Sequence, residues 1–225
     1  MKNLFLILAG ALALANTAHA ADASDARWIE GRHYVLLQPP QPVQVPAGKV
    51  EVTEVFSYGC PACNQFEPIM RELAARLPKN AEIVHVPASW NPGESWPLFQ
   101  RAYITAQVLG IDGKTHEAMY DAIWKTGELA VVDPVTHQLK VPQPTIGQVA
   151  RFYARVAGVT QQAVLDTAKS FAVDMKMMEA DERVKAYGVE GTPTLIVAGK
   201  YRVNNSSVRS VDELIDLVLY LVKRG

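Results

Sequence analysis

The chain has 225 residues, of which 49% are hydrophobic and 20% charged, with a formal net charge of -1. That balance is typical of a soluble globular protein, and a net charge so close to zero excludes the basic footprint that nucleic-acid binding requires. With no repeats, low-complexity runs or blocks of like charge, the length suits one domain of moderate size or one domain carrying an insertion.

The N-terminus reads as an export signal: Met1-Lys2 is a short positive region, Leu4 to Ala15 an apolar region, and Ala18-His19-Ala20 a small-residue cleavage site. The apolar run is shorter than the roughly 20 residues that span a bilayer, so residues 1–20 are expected to be a signal peptide cleaved after Ala20. An exported protein meets conditions in which thiols become disulfides. The chain holds only two cysteines, Cys60 and Cys63. A pair closing so short a loop is a poor structural staple, which points to chemical use.

Residues 21–48 are proline-rich (Pro39, Pro40, Pro42, Pro46) and predict an arm with one short edge strand over 33–37. A strand over 50–58 follows, with Val50, Val52, Phe56 and Tyr58 on one face and Glu51, Thr53 and Ser57 on the other. Glu54 is the polar exception on the apolar face. Pro61 suits the first position of a helix whose stripe is Phe66, Ile69, Met70, Leu73 and Leu77. Pro68 removes the bond to the Asn64 carbonyl inside that helix and predicts a kink. A second strand is expected over 81–86.

From Trp90 to Tyr187 the pattern is helical. One helix is predicted over 96–109, stopping at Gly110, and Thr115 is expected to cap another carrying Met119, Tyr120, Ile123 and Trp124. After a polar loop with Asp133-Pro134, Pro142 and Pro144, Thr145 caps a segment closed by Gly158. Thr160 then opens two helices with a break near 171–174. Trp90, Trp96 and Trp124 are assigned to the helical core rather than to a peptide groove. Strands over 194–197 and 201–203 form a hairpin through Ala198-Gly199-Lys200. Ser210 to Glu213 matches a capping box for a last helix with Leu214, Leu217, Val218 and Leu221 buried. The order describes an α/β domain (21–88 and 188–225) interrupted by an all-helical one (89–187).

A thiolate is the reactive form of cysteine. At a helix N-terminus the Cys60 sulfur faces the free N–H groups of Ala62 and Cys63 and the positive end of the helix dipole. Cys60 is then the exposed, attacked sulfur and Cys63 the buried partner. An isolated C-x-x-C is also half of a zinc site. Here no second pair exists, and His33, His85, His116 and His137 are scattered without ligand spacing, so the redox reading is preferred over a metal-binding module.

The run from Glu54 through Ser57-Tyr58-Gly59-Cys60-Pro61-Ala62-Cys63 to Glu67 resembles the active-site region of the DsbA family, periplasmic thiol oxidases of thioredoxin fold. Gly188-Val189-Glu190-Gly191-Thr192-Pro193-Thr194 resembles that family's cis-proline loop. The likeness covers almost all of the chain after Ala20. It implies a thioredoxin fold with an inserted all-helical domain, and a monomer that donates its Cys60–Cys63 disulfide to reduced exported polypeptides. It also implies a membrane quinone-linked re-oxidising partner of the DsbB type, and no cofactor or metal beyond the redox-active disulfide. Pro193 is then cis and packed against Cys60, Thr192 offers backbone groups to an extended substrate, and Glu54, with a raised pKa, passes protons to or from Cys63.

Three departures stand out. The Pro61-Ala62 dipeptide has alanine where well-known members carry a histidine that supports the thiolate, which leaves the helix N-terminus as the expected main support. Ile83 stands where a lysine usually partners the buried acid, leaving Glu54 to water. Thr192 also precedes the cis-proline in disulfide isomerases, so isomerase or reductase activity is the alternative. Periplasmic isomerases carry an N-terminal dimerisation domain, for which the roughly 29 residues between Ala20 and Val50 are too few.

Overall fold

The computed structural model describes residues 27–225, so the signal-peptide assignment lies outside the described residues. Strand β1 (Tyr34–Leu36) is followed by β2 (Val50–Phe56), helix α1 (Pro61–Arg76) and β3 (Ala81–Pro87). Helices α2 (Trp96–Val108), α3 (Asp112–Tyr120), α4 (Ile146–Ala157), α5 (Gln161–Ala168) and α6 (Phe171–Ala186) come next. The chain then forms β4 (Thr194–Val197), β5 (Tyr201–Val203) and α7 (Val211–Val222). The sheet order is β1-β5-β4-β2-β3, with β2 and β3 parallel and the other neighbours antiparallel. This is the expected α/β thioredoxin fold, with helices inserted between β3 and β4.

Two apolar clusters hold it together. One joins α1 and α7 to the sheet through Val52, Phe66, Leu73, Leu195, Leu217 and Leu221. The other joins Val55 and Ile196 to the inserted helices through Phe99, Tyr103, Val149, Tyr153 and Val184. With both faces covered, β2 is buried along nearly its whole length, polar side chains included.

Several helix ends form as their sequences predict. Thr145 and Gln148 make a reciprocal capping box at α4, and Gly158 ends that helix in the left-handed region. Other ends differ. Thr115 is no cap: it lies buried inside α3 and its hydroxyl donates back to the Ile111 carbonyl. The segment holding Ile123 and Trp124 is a π-helical turn, Asp121–Lys125, at the end of α3. The break between the last two inserted helices falls just before Phe171, where Ser170 caps α6. At α7 only half of the box forms, because the Glu213 carboxylate accepts the N–H of Arg209 rather than that of Ser210.

The face of β2 opposite Val52 is buried too. Glu51 is fully buried and paired with Arg183 of α6 at 2.5 Å, and it also accepts from the Thr53 hydroxyl and the Gln44 N–H. One carboxylate therefore ties the N-terminal arm, the central strand and the last inserted helix. Removing one partner of a buried pair leaves an uncompensated charge, which costs about 3–5 kcal/mol, whereas replacing both by apolar groups is often neutral. Arg183→Met should therefore lower stability by about that amount, and Glu51→Leu combined with Arg183→Met should recover most of it, measured by urea unfolding.

Candidate active site

Strand β2 ends at Phe56, and a short turn delivers Cys60 to the start of α1. The turn is close-packed: a side chain at Gly59 would meet the Trp96 ring at 2.8 Å, so only glycine allows that approach. Cys60 is the N-cap of α1, with Pro61 in its first turn, and its Sγ accepts the N–H of Cys63 at 3.4 Å. On the other side the Cys60 thiol donates to the backbone carbonyl of Thr192 at 3.4 Å. The Thr192–Pro193 peptide bond is cis. Thus Cys60, Cys63 and the loop carrying Thr192 and Pro193, 132 residues apart in sequence, meet at one point.

Both cysteines are free thiols. Cys63 is fully buried and Cys60 keeps 6% of its surface, so the expected ranking holds although Cys60 itself is more enclosed than an exposed nucleophile. Pro61 and Ala62 are exposed beside it. The Cys60 pKa is lowered to about 6. The hydrogen bond from the Cys63 thiol contributes most to the lowering. Burial opposes it, and the Thr192 hydroxyl and the N–H groups of Cys63 and Ala62 add to it in that order. The neighbouring thiol therefore contributes more than the two N–H groups that sequence reasoning favoured. The Thr192 hydroxyl has no partner in ordinary hydrogen-bond geometry, yet it acts to lower both thiols. Burial, the hydrogen bond to Cys60 and the Cys60 charge push Cys63 far up, and Glu54 adds to the rise.

Glu54 is buried, and its partner is a correction to the sequence reading. The β2–β3 register sets Glu54 beside His85 and Val52 beside Ile83. The Glu54 carboxylate lies 3.3 Å from His85 Nε2, while its other oxygen has no partner. The histidines are not scattered either. The His85 and His116 rings are 4.4 Å apart at their centroids, and His116 Nδ1 lies 2.9 Å from the Tyr58 hydroxyl. Burial first, then His85, holds His116 well below the usual imidazole range. Sequence reasoning missed this group of Glu54, His85, His116 and Tyr58. Alternation placed Glu54 on an apolar face, but only the strand register names the residue beside it. Among the described residues, no three His, Cys, Asp or Glu side chains gather so as to hold a metal ion.

The tryptophans divide. Trp96 is buried as assigned, but Trp90 is 44% exposed and rests on it with centroids 5.4 Å apart. Trp124 is half-buried and donates its Nε1–H to the Tyr58 carbonyl at 2.9 Å.

A family model described as thioredoxin matches residues 45–217. The thiol:disulfide interchange protein DsbA of Pseudomonas aeruginosa is 35% identical over 225 residues, covering 100% of this chain and 97% of that one. This chain belongs to the DsbA family. It is a thiol:disulfide oxidoreductase. The DsbA of Azotobacter vinelandii is 34% identical over 226 residues, covering 100% and 98% of the two chains. The crystal structure of Pseudomonas aeruginosa DsbA superposes with a TM-score of 0.73 at 32% identity, covering 88% of this chain and 95% of that one. A DsbA structure from Xylella fastidiosa gives 0.73 at 30% identity, covering 86% and 95%.

The Cys60 pKa carries a measurable sign. Folding lowers it, so the reduced protein gains stability from this thiolate above the unfolded value of about 8.5 and loses it as pH falls through about 6. Ultraviolet thiolate absorbance of the reduced protein should show a midpoint near 6 that disappears in Cys60→Ser. The stability advantage of reduced wild type over that variant should grow as pH rises from 6 towards 8.5.

Proposed function

We propose that this protein is a dithiol oxidase that donates its Cys60–Cys63 disulfide to newly exported, reduced polypeptides. The observation that carries the reading is the contrast between two adjacent sulfurs, one lowered to about 6 and the other buried and pushed up. In the oxidised protein a substrate thiolate attacks Cys60 Sγ, the Cys60–Cys63 bond breaks, and a mixed disulfide forms. Cys63 leaves with the electron pair and, with its raised pKa, takes up a proton, for which Glu54 is the proposed donor. A second substrate thiolate then attacks the substrate sulfur of the mixed disulfide, and Cys60 leaves as a stabilised thiolate. A low leaving-group pKa speeds that step and favours the reduced enzyme, which makes the oxidised form a strong oxidant.

Once Cys60 is ionised it no longer donates to Thr192, and that carbonyl can accept an N–H from an extended substrate beside cis-Pro193. Pro61 and Ala62 form the exposed edge across which the substrate lies. A membrane quinone-linked partner of the DsbB type would re-oxidise the pair. In this reading the protein works as a monomer in the periplasm after cleavage behind Ala20, with no cofactor beyond its own disulfide. Residues 21–88 and 188–225 serve as the thioredoxin-like domain and 89–187 as the helical insertion. Among the described residues no helix is long and apolar enough to cross a membrane.

Cys60→Ser should abolish oxidation of a reduced dithiol peptide, whereas in Cys63→Ser the Cys60 thiolate should attack a peptide disulfide, expel one peptide thiolate and accumulate as a mixed disulfide, detectable by mass spectrometry. Unchanged turnover in Cys60→Ser would contradict the mechanism.

A further inference from the structure

Glu54 sits on β2, an inner strand of the sheet, and only 2% of its surface reaches solvent. Its neighbour in the register is His85 of β3, and β3 is the edge of the sheet. The His85 ring therefore spans two environments. Its Nε2 lies 3.3 Å from the Glu54 carboxylate, while its side chain is 24% exposed. Two openings reach it: one of about 320 Å³ between α1 and α3, and one of about 490 Å³ between α2 and α6.

The other titratable groups near Glu54 offer no such route. Tyr58, Tyr103 and Tyr120, which all feel the Glu54 charge, are buried, and burial pushes each phenol above its ordinary range. His116 is held well below the imidazole range, by burial first and then by His85, and its Nδ1 is engaged with the Tyr58 hydroxyl. These groups keep one protonation state near neutral pH. Charged side chains face His85 across the two openings, but most are already answered. Arg71 of α1 pairs with Glu67 and with Glu117 of α3, Arg183 of α6 pairs with Glu51, and Glu179 accepts from Gln44. Asp112 of α3 and Lys176 of α6 complete the set. Among the described residues, Glu54 is the one acid within ion-pair distance of His85.

We propose that His85 carries protons between Glu54 and solvent as the Cys60–Cys63 pair is reduced and re-oxidised. The proposal rests on the reading that Glu54 is the proton donor to Cys63. On reduction Cys63 takes the Glu54 proton, which leaves a buried carboxylate. Water then delivers a proton to His85 Nδ1, and the ring passes the proton on its Nε2 to Glu54 and is neutral again. Re-oxidation runs the same transfers backwards: Cys63 gives a proton to Glu54, His85 takes it at Nε2, and water removes one from Nδ1. The electrons stay with the sulfurs throughout. Imidazole suits the task because one nitrogen can take a proton as the other gives one up. His85 acts through Glu54, so it is a relay rather than a reacting group.

The test is single-turnover reduction of the oxidised protein by dithiothreitol at neutral pH, followed by stopped-flow tryptophan fluorescence. This small dithiol separates the relay from the question of which polypeptides the protein oxidises. His85→Gln keeps a hydrogen-bond donor for Glu54 but cannot relay, and His85→Ala removes the ring. Both should react about tenfold more slowly than wild type. Imidazole added to His85→Ala should restore most of the rate, whereas thiazole, a ring of similar shape without an N–H, should not. In a Glu54→Gln background, loss of His85 should cost nothing further and imidazole should have no effect. A wild-type rate in both His85 variants would overturn the relay. Rescue by thiazole as complete as by imidazole would overturn it too, by showing that the ring only fills space. A wild-type rate in Glu54→Gln would remove the proton role of Glu54, and the relay with it, while leaving the Cys60 chemistry standing. Failure to oxidise a reduced dithiol peptide, in a protein that shows the expected dithiothreitol rates, would count against the oxidase reading alone.

Discussion

The N–H of Cys63 points at the sulfur of Cys60, and the site is built around that one contact. Helix N-caps are ordinarily oxygens from Ser, Thr, Asp or Asn. Here a thiol takes the position at 3.4 Å, an arrangement that serves an anionic sulfur better than a neutral one. The cap depends on Pro61 fixing the first helical turn, on Gly59 letting Trp96 approach the chain, and on the end of β2 aiming the turn. Once α1 starts at Cys60, its own geometry brings Cys63 to the same place one turn later, in the buried layer. The two sulfurs then differ by environment alone. With alanine between the cysteines, the thiolate is supported by the Cys63 thiol, the Thr192 hydroxyl and two backbone N–H groups.

Strand β2 carries a second contrast. Glu51 and Glu54 are both buried, three residues apart and on opposite faces. Glu51 is answered by an arginine, a hydroxyl and a backbone N–H, which is the full satisfaction a structural carboxylate needs. Glu54 faces a single histidine and keeps one oxygen without a partner. A buried polar atom left unsatisfied is costly for folding alone, and the Glu54 charge raises the Cys63 pKa. The sheet therefore has one glutamate that ties the arm and α6 to the strand, and another that keeps one carboxylate oxygen without a partner.

Much of this was legible in the sequence because it is written in local chemistry. The isolated pair at a strand–helix junction, the stripe of α1 and the Thr145 and Gly158 caps depend on neighbouring residues only, and each lies where the pattern puts it. What required the fold is non-local. Thr115 has the identity of a cap, but burial against the inserted helices turns its hydroxyl back onto the helix. Glu51 reads only as a polar residue on the strand face opposite Val52, and α6 is what covers it with Arg183. The resemblance to the family pointed to Ile83 as the residue against the acid, yet the register sets His85 there. Trp124 has the spacing of a core residue, and only the π-helical turn reveals it as the wall of a cavity.

The central claim is that the environment of Cys60 favours the reduced pair and so makes the disulfide an oxidant despite Ala62. Equilibration of the Cys60–Cys63 couple against glutathione measures this directly. The account predicts a reduction potential well above the roughly −270 mV of thioredoxin. A value at or below −270 mV would contradict it.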